Sequence, residues 1–168
     1  GGDGWVAARA LAATGRNVTL VSKTAADEIT AQPARTAAIE TASTTDFELA
    51  VAPSDEELVC LLNGADLIVD AILGTGFAHD QVREPYATWI RLANAARNDH
   101  GTHVVPADCP SGLNAQTGTA ASDCVIADET VTMIVPKTGL VEPQAHPYVG
   151  TLLLAPLISI EEYFDDLL

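Results

Sequence analysis

Lysine is nearly missing from this chain. Lys23 and Lys137 are its only lysines, and 8 Lys and Arg together face 23 Asp and Glu, for a formal net charge of -15 and a pI near 4.3. A surface of that sign repels nucleic acid and anionic lipid, so neither is expected as a partner. The excess reads as a well-solvated acidic face. Adaptation to a high-salt cytoplasm, where screening weakens self-repulsion, is the sharper alternative, and folding and activity measured against salt separate the two. Aromatics are scarce, and no apolar run approaches the roughly 20 residues of a membrane span. The chain opens Gly-Gly-Asp-Gly, with no basic stretch ahead of an apolar core, so no secretory signal is expected. Cys60, Cys109 and Cys124 show no C-x-x-C spacing, which argues against a zinc site or disulfide framework and for a reducing, cytoplasmic compartment.

What is present is a regular alternation. The 168 residues suffice for one domain with a sizeable core, and residues 1–168 read as that single domain. Asp3 and Gly4 precede WVAARALAATG, an Ala-rich helical pattern that Gly15 stops. NVTLVS (Asn17–Ser22) and FELAVA are β-branched or apolar and short, hence strands. Between them a weaker helical pattern breaks near Pro33. Ser54 with Glu57 three residues on opens the next helix as a capping box. DLIVDAIL (Asp66–Leu73) predicts a buried strand, GTGFAHDQVREP a loop, and YATWIRLANAARNDHG a helix with a glycine stop. THVVPAD, ADETVTMIV and GTLLLAP follow as strands, and SIEEYFDDLL as a short acidic helix or tail. This pattern predicts an α/β fold, a Rossmann-like, mainly parallel sheet with helices on both faces. In such sheets ligands bind outside the carboxyl ends of the strands.

Three stretches with chemical potential fall on strand ends or helix starts. In GGDGWVAARAL, glycines ahead of a helix allow backbone N–H groups to approach an anion; the plain alternative is a glycine turn with Asp3 as N-cap. In DAILGTGF, Asp70 lies in an otherwise apolar run, where an unpaired carboxylate is costly. It needs a cation, donors, or a place at the strand's end, and Gly74 and Gly76 then permit a tight loop with free N–H groups. In VVPADCPSGLNAQTG, Asp108 stands at a strand's carboxyl end, Pro110 keeps Cys109 extended, and Ser111 adds a hydroxyl on a rigid support. A carboxylate held partly out of water can exchange protons with a substrate; the alternative is a turn that Asp108 merely caps.

GGDGWVAARAL, DAILGTGF and DCPSGLNAQTG, with ADETVTMIVPKTGL after them, occur in an order that resembles the YjeF N-terminal domain, the NAD(P)H-hydrate epimerase family. The resemblance runs from Gly1 to about Gly150. It implies a Rossmann-like sheet that binds hydrated NADH or NADPH and interconverts its R and S epimers, functionally coupled to a dehydratase that uses one of them. It also implies a bound potassium ion, with Asp70 and Ser111 as ligands. Gly1, Gly2 and Asp3, together with Gly74, Thr75, Gly76, Phe77, Ala78, His79 and Asp80, are then expected to contact the nucleotide. Asp108 becomes the substrate-contacting general acid/base. A homodimer is common in the family.

The family pattern places a strand, a glycine and asparagines ahead of GGDG, whereas this sequence starts inside the motif. A first strand at the sheet's centre, an N-terminal helix and an asparagine ligand for potassium are therefore expected to be missing. Weak potassium binding and poor epimerisation are expected of these 168 residues alone. Cys109 replaces the usual aliphatic residue, a tolerable small apolar swap. Lys137 reads as a solvated loop lysine, Trp5 as packing, and His100, His103 and His146 as surface or satisfied histidines. Two other classes compete. Domains of this fold also serve as non-catalytic scaffolds, as in mRNA decapping, but a scaffold is free to lose the Asp108–Ser111 pair, which is kept here. A conventional dehydrogenase needs G-x-G-x-x-G, and GGDGWV lacks that spacing.

Overall fold

The structure, a computed structural model, describes residues 2–44 and 47–156. Gly1 and the acidic SIEEYFDDLL stretch lie outside the described residues. Among the described residues six strands are interspersed with helices: α1 (Gly2–Ala13), β1 (Thr19–Ser22), α2 (Ala34–Thr44), β2 (Glu48–Val51), α3 (Asp55–Asn63), β3 (Leu67–Asp70), α4 (Tyr86–His100), β4 (His103–Pro106), β5 (Glu129–Met133), α5 (His146–Val149) and β6 (Thr151–Ala155). Local chemistry accounts for the boundaries. Ser54 Oγ accepts the Glu57 N–H at 3.2 Å while Glu57 Oε2 accepts the Ser54 N–H at 2.8 Å, the reciprocal capping box expected at α3. Gly101, at φ 73°, ends α4 in the left-handed conformation, and its N–H reaches the Arg97 carbonyl. The weak helical stretch splits into a 3-10 turn over Ala26–Glu28 and α2, which begins just after Pro33.

Every strand pair is parallel: β1 with β2, β3 with β4, and β5 with β6. A bridge from Ala107 to Val131 joins β4 to β5, so β3, β4, β5 and β6 follow one another across the sheet. Helices α1 and α2 pack together, as do α3 and α4. The apolar centre lies under α4 and β4, where Ile90, Val104 and Val125 are fully buried with Val82 and Ala87. A second cluster of Cys109, Leu113, Cys124, Leu140, Ala145 and Val149 anchors the loop after β4.

Two features depart from the sequence reading. The DLIVDAIL run is a strand only to Asp70, because the Asp70 carboxylate accepts the Ile72 N–H at 3.2 Å and turns the chain. The run is also less buried than its apolarity implies, since Leu67 is exposed. The reason is a break in the sheet: among the described residues no ladder joins β1 to β3, and a cleft of about 1190 Å³ lies between them, lined by both strands, by α1 and by α3 and α4.

Candidate functional site

Three segments distant in sequence meet at the carboxyl edge of the strands. Asp70 ends β3 and pairs in register with Pro106, and the Ala107 N–H donates to the Asp70 carbonyl at 2.8 Å. The start of α1 lies beside them, where a Cβ on Gly4 would stand 3.2 Å from that of Ala71. From the loop after β4, Ser111 reaches across to Asp70. Its hydroxyl donates to Asp70 Oδ1 at 2.6 Å and its backbone N–H to Oδ2 at 2.7 Å. Both side chains are buried, Asp70 at 2% and Ser111 at 1% exposure.

A carboxylate buried this deeply is disfavoured in its charged form. Burial pushes the Asp70 carboxyl above its ordinary range, against the pull of the Ser111 hydroxyl and the N–H groups of Ser111 and Ile72. No cationic side chain pairs with Asp70 among the described residues. The Ser111 hydroxyl also accepts the Leu73 N–H at 2.8 Å and lies 3.4 Å from the Leu73 carbonyl. The converging donors are thus all oxygens: a carboxylate, a hydroxyl and a carbonyl. That set suits a hard, weakly hydrated cation such as potassium, though it is short of a complete shell. No group of three His, Cys, Asp or Glu side chains that could hold a metal occurs among the described residues.

Asp108 follows β4 after Ala107 and takes φ 74°, a left-handed region uncommon outside glycine, asparagine and aspartate. Its backbone N–H donates to the Val131 carbonyl at 2.8 Å, continuing the ladder to β5. Its Oδ1 accepts three donors: the Met133 N–H at 2.9 Å, the Thr132 hydroxyl at 3.1 Å, and the Lys137 ammonium. Among the described residues nothing donates to Oδ2, and the side chain is 20% exposed. The turn-cap alternative is therefore overturned, since the carboxylate bonds to β5 and Lys137 and not to the loop that follows it. The reading of Lys137 as a solvated lysine is overturned for the same reason. Its signal in the sequence was a lone cation placed just after a β-branched strand, and no local pattern says which distant carboxylate it meets.

The two expected nucleotide segments flank these carboxylates. Gly2 and Asp3 lie in the first turn of α1; Asp3 is exposed and inside the helix, so it is not the N-cap. The loop holding Gly74, Thr75, Gly76, Phe77, Ala78, His79 and Asp80 leaves β3 just beyond Asp70. It is tied down at two places: the Phe77 N–H donates to the Gly74 carbonyl at 3.1 Å, and the Ser122 N–H to the Asp80 carbonyl at 2.9 Å. Phe77 packs partly on the core and meets His79 edge to face, ring centroids 5.8 Å apart. Gly74 and Gly76 have open space where a Cβ would sit, and neither has a positive φ. The protein's own packing does not call for glycine at either position.

The family model for the YjeF-related protein N-terminus matches residues 1–139. The chain belongs to this family. Among curated YjeF-related proteins it is 40% identical, over 97% of its own length, to a Leishmania braziliensis protein named bifunctional NAD(P)H-hydrate repair enzyme, of which it spans 28%. It is 39% identical to a Pyrobaculum aerophilum protein named bifunctional NAD(P)H-hydrate repair enzyme Nnr, covering 94% of this chain and 30% of that one. It is 37% identical to a Limosilactobacillus fermentum protein named NAD(P)H-hydrate epimerase, covering 92% and 68%. The chain therefore spans less than a third of the bifunctional relatives. The crystal structure of yeast ynu0 superposes with a TM-score of 0.74 at 18% identity, over 98% of this chain and 65% of that one, which shows the α/β fold. No helix among the described residues of this YjeF-related chain is long and apolar enough to cross a membrane.

Proposed function

We propose that this YjeF-related domain is an NAD(P)H-hydrate epimerase, interconverting the R and S forms of hydrated NADH or NADPH and working with a dehydratase that consumes one of them. The observation that carries the proposal is the state of Asp108. Its carboxylate is held rigidly at the strands' carboxyl edge, with one oxygen saturated and the other open. The hydrated carbon, C6 of the reduced ring, bears a hydroxyl. Exchange of its configuration requires that this hydroxyl leave and return, or that the C6–N1 bond open to an aldehyde and reclose. Either route moves one proton off a reacting oxygen or onto it and later returns it, and a single carboxylate facing C6 serves both directions.

The remaining parts follow from the same placement. The start of α1, with Gly1, Gly2 and Asp3, and the Gly74–Asp80 loop are proposed to hold the nucleotide. Glycines that the protein's own packing does not require leave room for a ligand at Gly74 and Gly76. Asp70 and Ser111 are proposed to hold a potassium ion, with the Leu73 carbonyl nearby; when bound, it supplies positive charge next to an anionic substrate on a strongly acidic protein. A homodimer and a cytoplasmic location belong to the proposal; the unpaired, buried Cys109 and Cys124 support the latter.

The test supplies one purified epimer of hydrated NADPH, with and without potassium, and follows the other by chromatography. Interconversion that potassium stimulates and that Asp108→Ala abolishes in a folded protein supports the reading. No interconversion by the full-length protein, or unimpaired exchange by Asp108→Ala, overturns it.

A further inference from the structure

Strand β5 ends at Met133, and Ile134 then takes φ 66°. A β-branched residue in that region is strained, and Asp108 takes the same left-handed region, at φ 74°, beyond the neighbouring strand. Two left-handed residues beyond adjacent strand ends therefore frame one cluster. The backbone reversal after Met133 aims its N–H at Asp108 Oδ1, 2.9 Å away, and its carbonyl at Lys137 Nζ, also 2.9 Å away. Lys137 closes the cluster, donating to Asp108 Oδ1, to the Met133 carbonyl and, at 3.4 Å, to the Thr132 hydroxyl. All three ammonium protons are engaged.

The lysine is not a loop residue that happens to reach a carboxylate. It caps a 3-10 turn over Thr138–Val141, and the Gly139 N–H in that turn donates to the Ala115 carbonyl at 2.8 Å. A Cβ on Gly139 would stand 2.5 Å from the Gly118 nitrogen and 2.6 Å from the Asn114 carbonyl oxygen. The Lys137 turn is thus clamped, backbone against backbone, to the Ser111–Gly118 loop that continues from Asp108. The side chains of Lys137 and Asp108 are only 23% and 20% exposed, so neither is free to swing into solvent.

We propose that Lys137 is the positioning residue for the proton-transferring carboxylate. It completes the set of donors on Asp108 Oδ1, so that Oδ2 is the oxygen turned to the nucleotide ring. This inference rests on the epimerase reading. A salt bridge that only stabilised the loop would affect folding and leave the chemical step untouched, and the two cases separate experimentally. In the full-length protein, Lys137→Met should lower kcat about 100-fold, the scale of a misplaced acid/base group, with KM within about threefold of wild type. Lys137→Arg should recover most of the loss, and adding Lys137→Met to Asp108→Asn should cost less than about threefold more, because the two act as a unit.

Lys23 and Lys137 are the only lysines in these 168 residues, so side-chain ammonium resonances of the 168-residue chain give a second readout that does not depend on turnover or on Lys137→Met folding. Asp108→Asn should shift the Lys137 signal and leave that of Lys23 in place. Wild-type kcat in Lys137→Met, losses that multiply in the double variant, or an unmoved Lys137 resonance would each overturn the assignment while the epimerase reading stands. An inactive wild-type protein would instead remove the epimerase reading, and this inference with it.

Discussion

Removing the Ser111 hydroxyl tests the junction on which the site is built. Ser111→Ala deletes the hydrogen bond to Asp70 Oδ1 at 2.6 Å and the acceptor of the Leu73 N–H at 2.8 Å. The first is a bond to a buried charged group, about 1.5–3 kcal/mol, and the second leaves a partly buried donor to find water, about 1 kcal/mol. The backbone N–H of Ser111 still serves Oδ2 and the Ile72 N–H still serves Oδ1, so Asp70 is weakened and not orphaned. The expected cost is about 2.5–4 kcal/mol in urea unfolding, read by the fluorescence of buried Trp5 and Trp89. In an Asp70→Asn background the same substitution should cost at least about 1 kcal/mol less, since the charge-assisted bond is already gone. A loss below about 0.5 kcal/mol, or strict additivity, would show that the Asp70–Ser111 contact contributes little and that the two loops are held together elsewhere.

Other consequences are open to measurement. Gly112, at φ 91°, has the Asp123 carbonyl oxygen 2.2 Å from where a Cβ would be, so Gly112→Ala should destabilise by more than about 2 kcal/mol, whereas Gly76→Ala, in open space, should melt like wild type and lose nucleotide affinity. Equal melting temperatures for the two variants would contradict the packing argument. Burial alone would raise the Asp128 carboxyl, but the Val104 N–H, the Arg97 guanidinium and His103 outweigh it and hold it below the ordinary range. Its contribution is therefore present above the unfolded-state value and lost as pH falls through the lower folded one, so Asp128→Asn should flatten the acid limb of stability against pH below about pH 4. An acid limb that keeps its slope would count against this. Burial, reinforced by Asp70 and Asp108, pushes the Cys109 thiol up to about 12, and Cys124 is raised by burial as well. A disulfide reagent should titrate exposed Cys60 at once and these two only after unfolding; rapid labelling of all three would contradict the burial.

The elements were legible in the chain because their causes are local. Ser54 and Glu57 announce α3, Gly101 ends α4, Pro33 splits the weak helix before α2, and β-branched runs mark β1 and β5. The candidate carboxylates were legible for a different reason, since Asp70 and Asp108 are charges that an apolar strand does not tolerate unless something meets them. The pairing of Lys137 escaped the sequence reading, which makes it a solvated loop lysine, because its partner lies 29 residues away and no periodicity encodes that separation. Gly74 and Gly76 were visible as a loop, but only the structure separates glycines that backbone contact demands, as at Gly112 and Gly139, from those it leaves unexplained.

By itself, then, the order of residues determined an α/β chain with parallel strands, an acidic surface and three polar segments at strand ends, because helix caps, branched side chains and turn residues act over a few positions. Tertiary structure alone decided that Ser111 closes on Asp70, that Lys137 saturates one oxygen of Asp108, and that β1 and β3 stand apart across a cleft. Those outcomes depend on how parallel strands stack in register and how the loops beyond them are clamped, and such long-range contacts form only when the whole core packs.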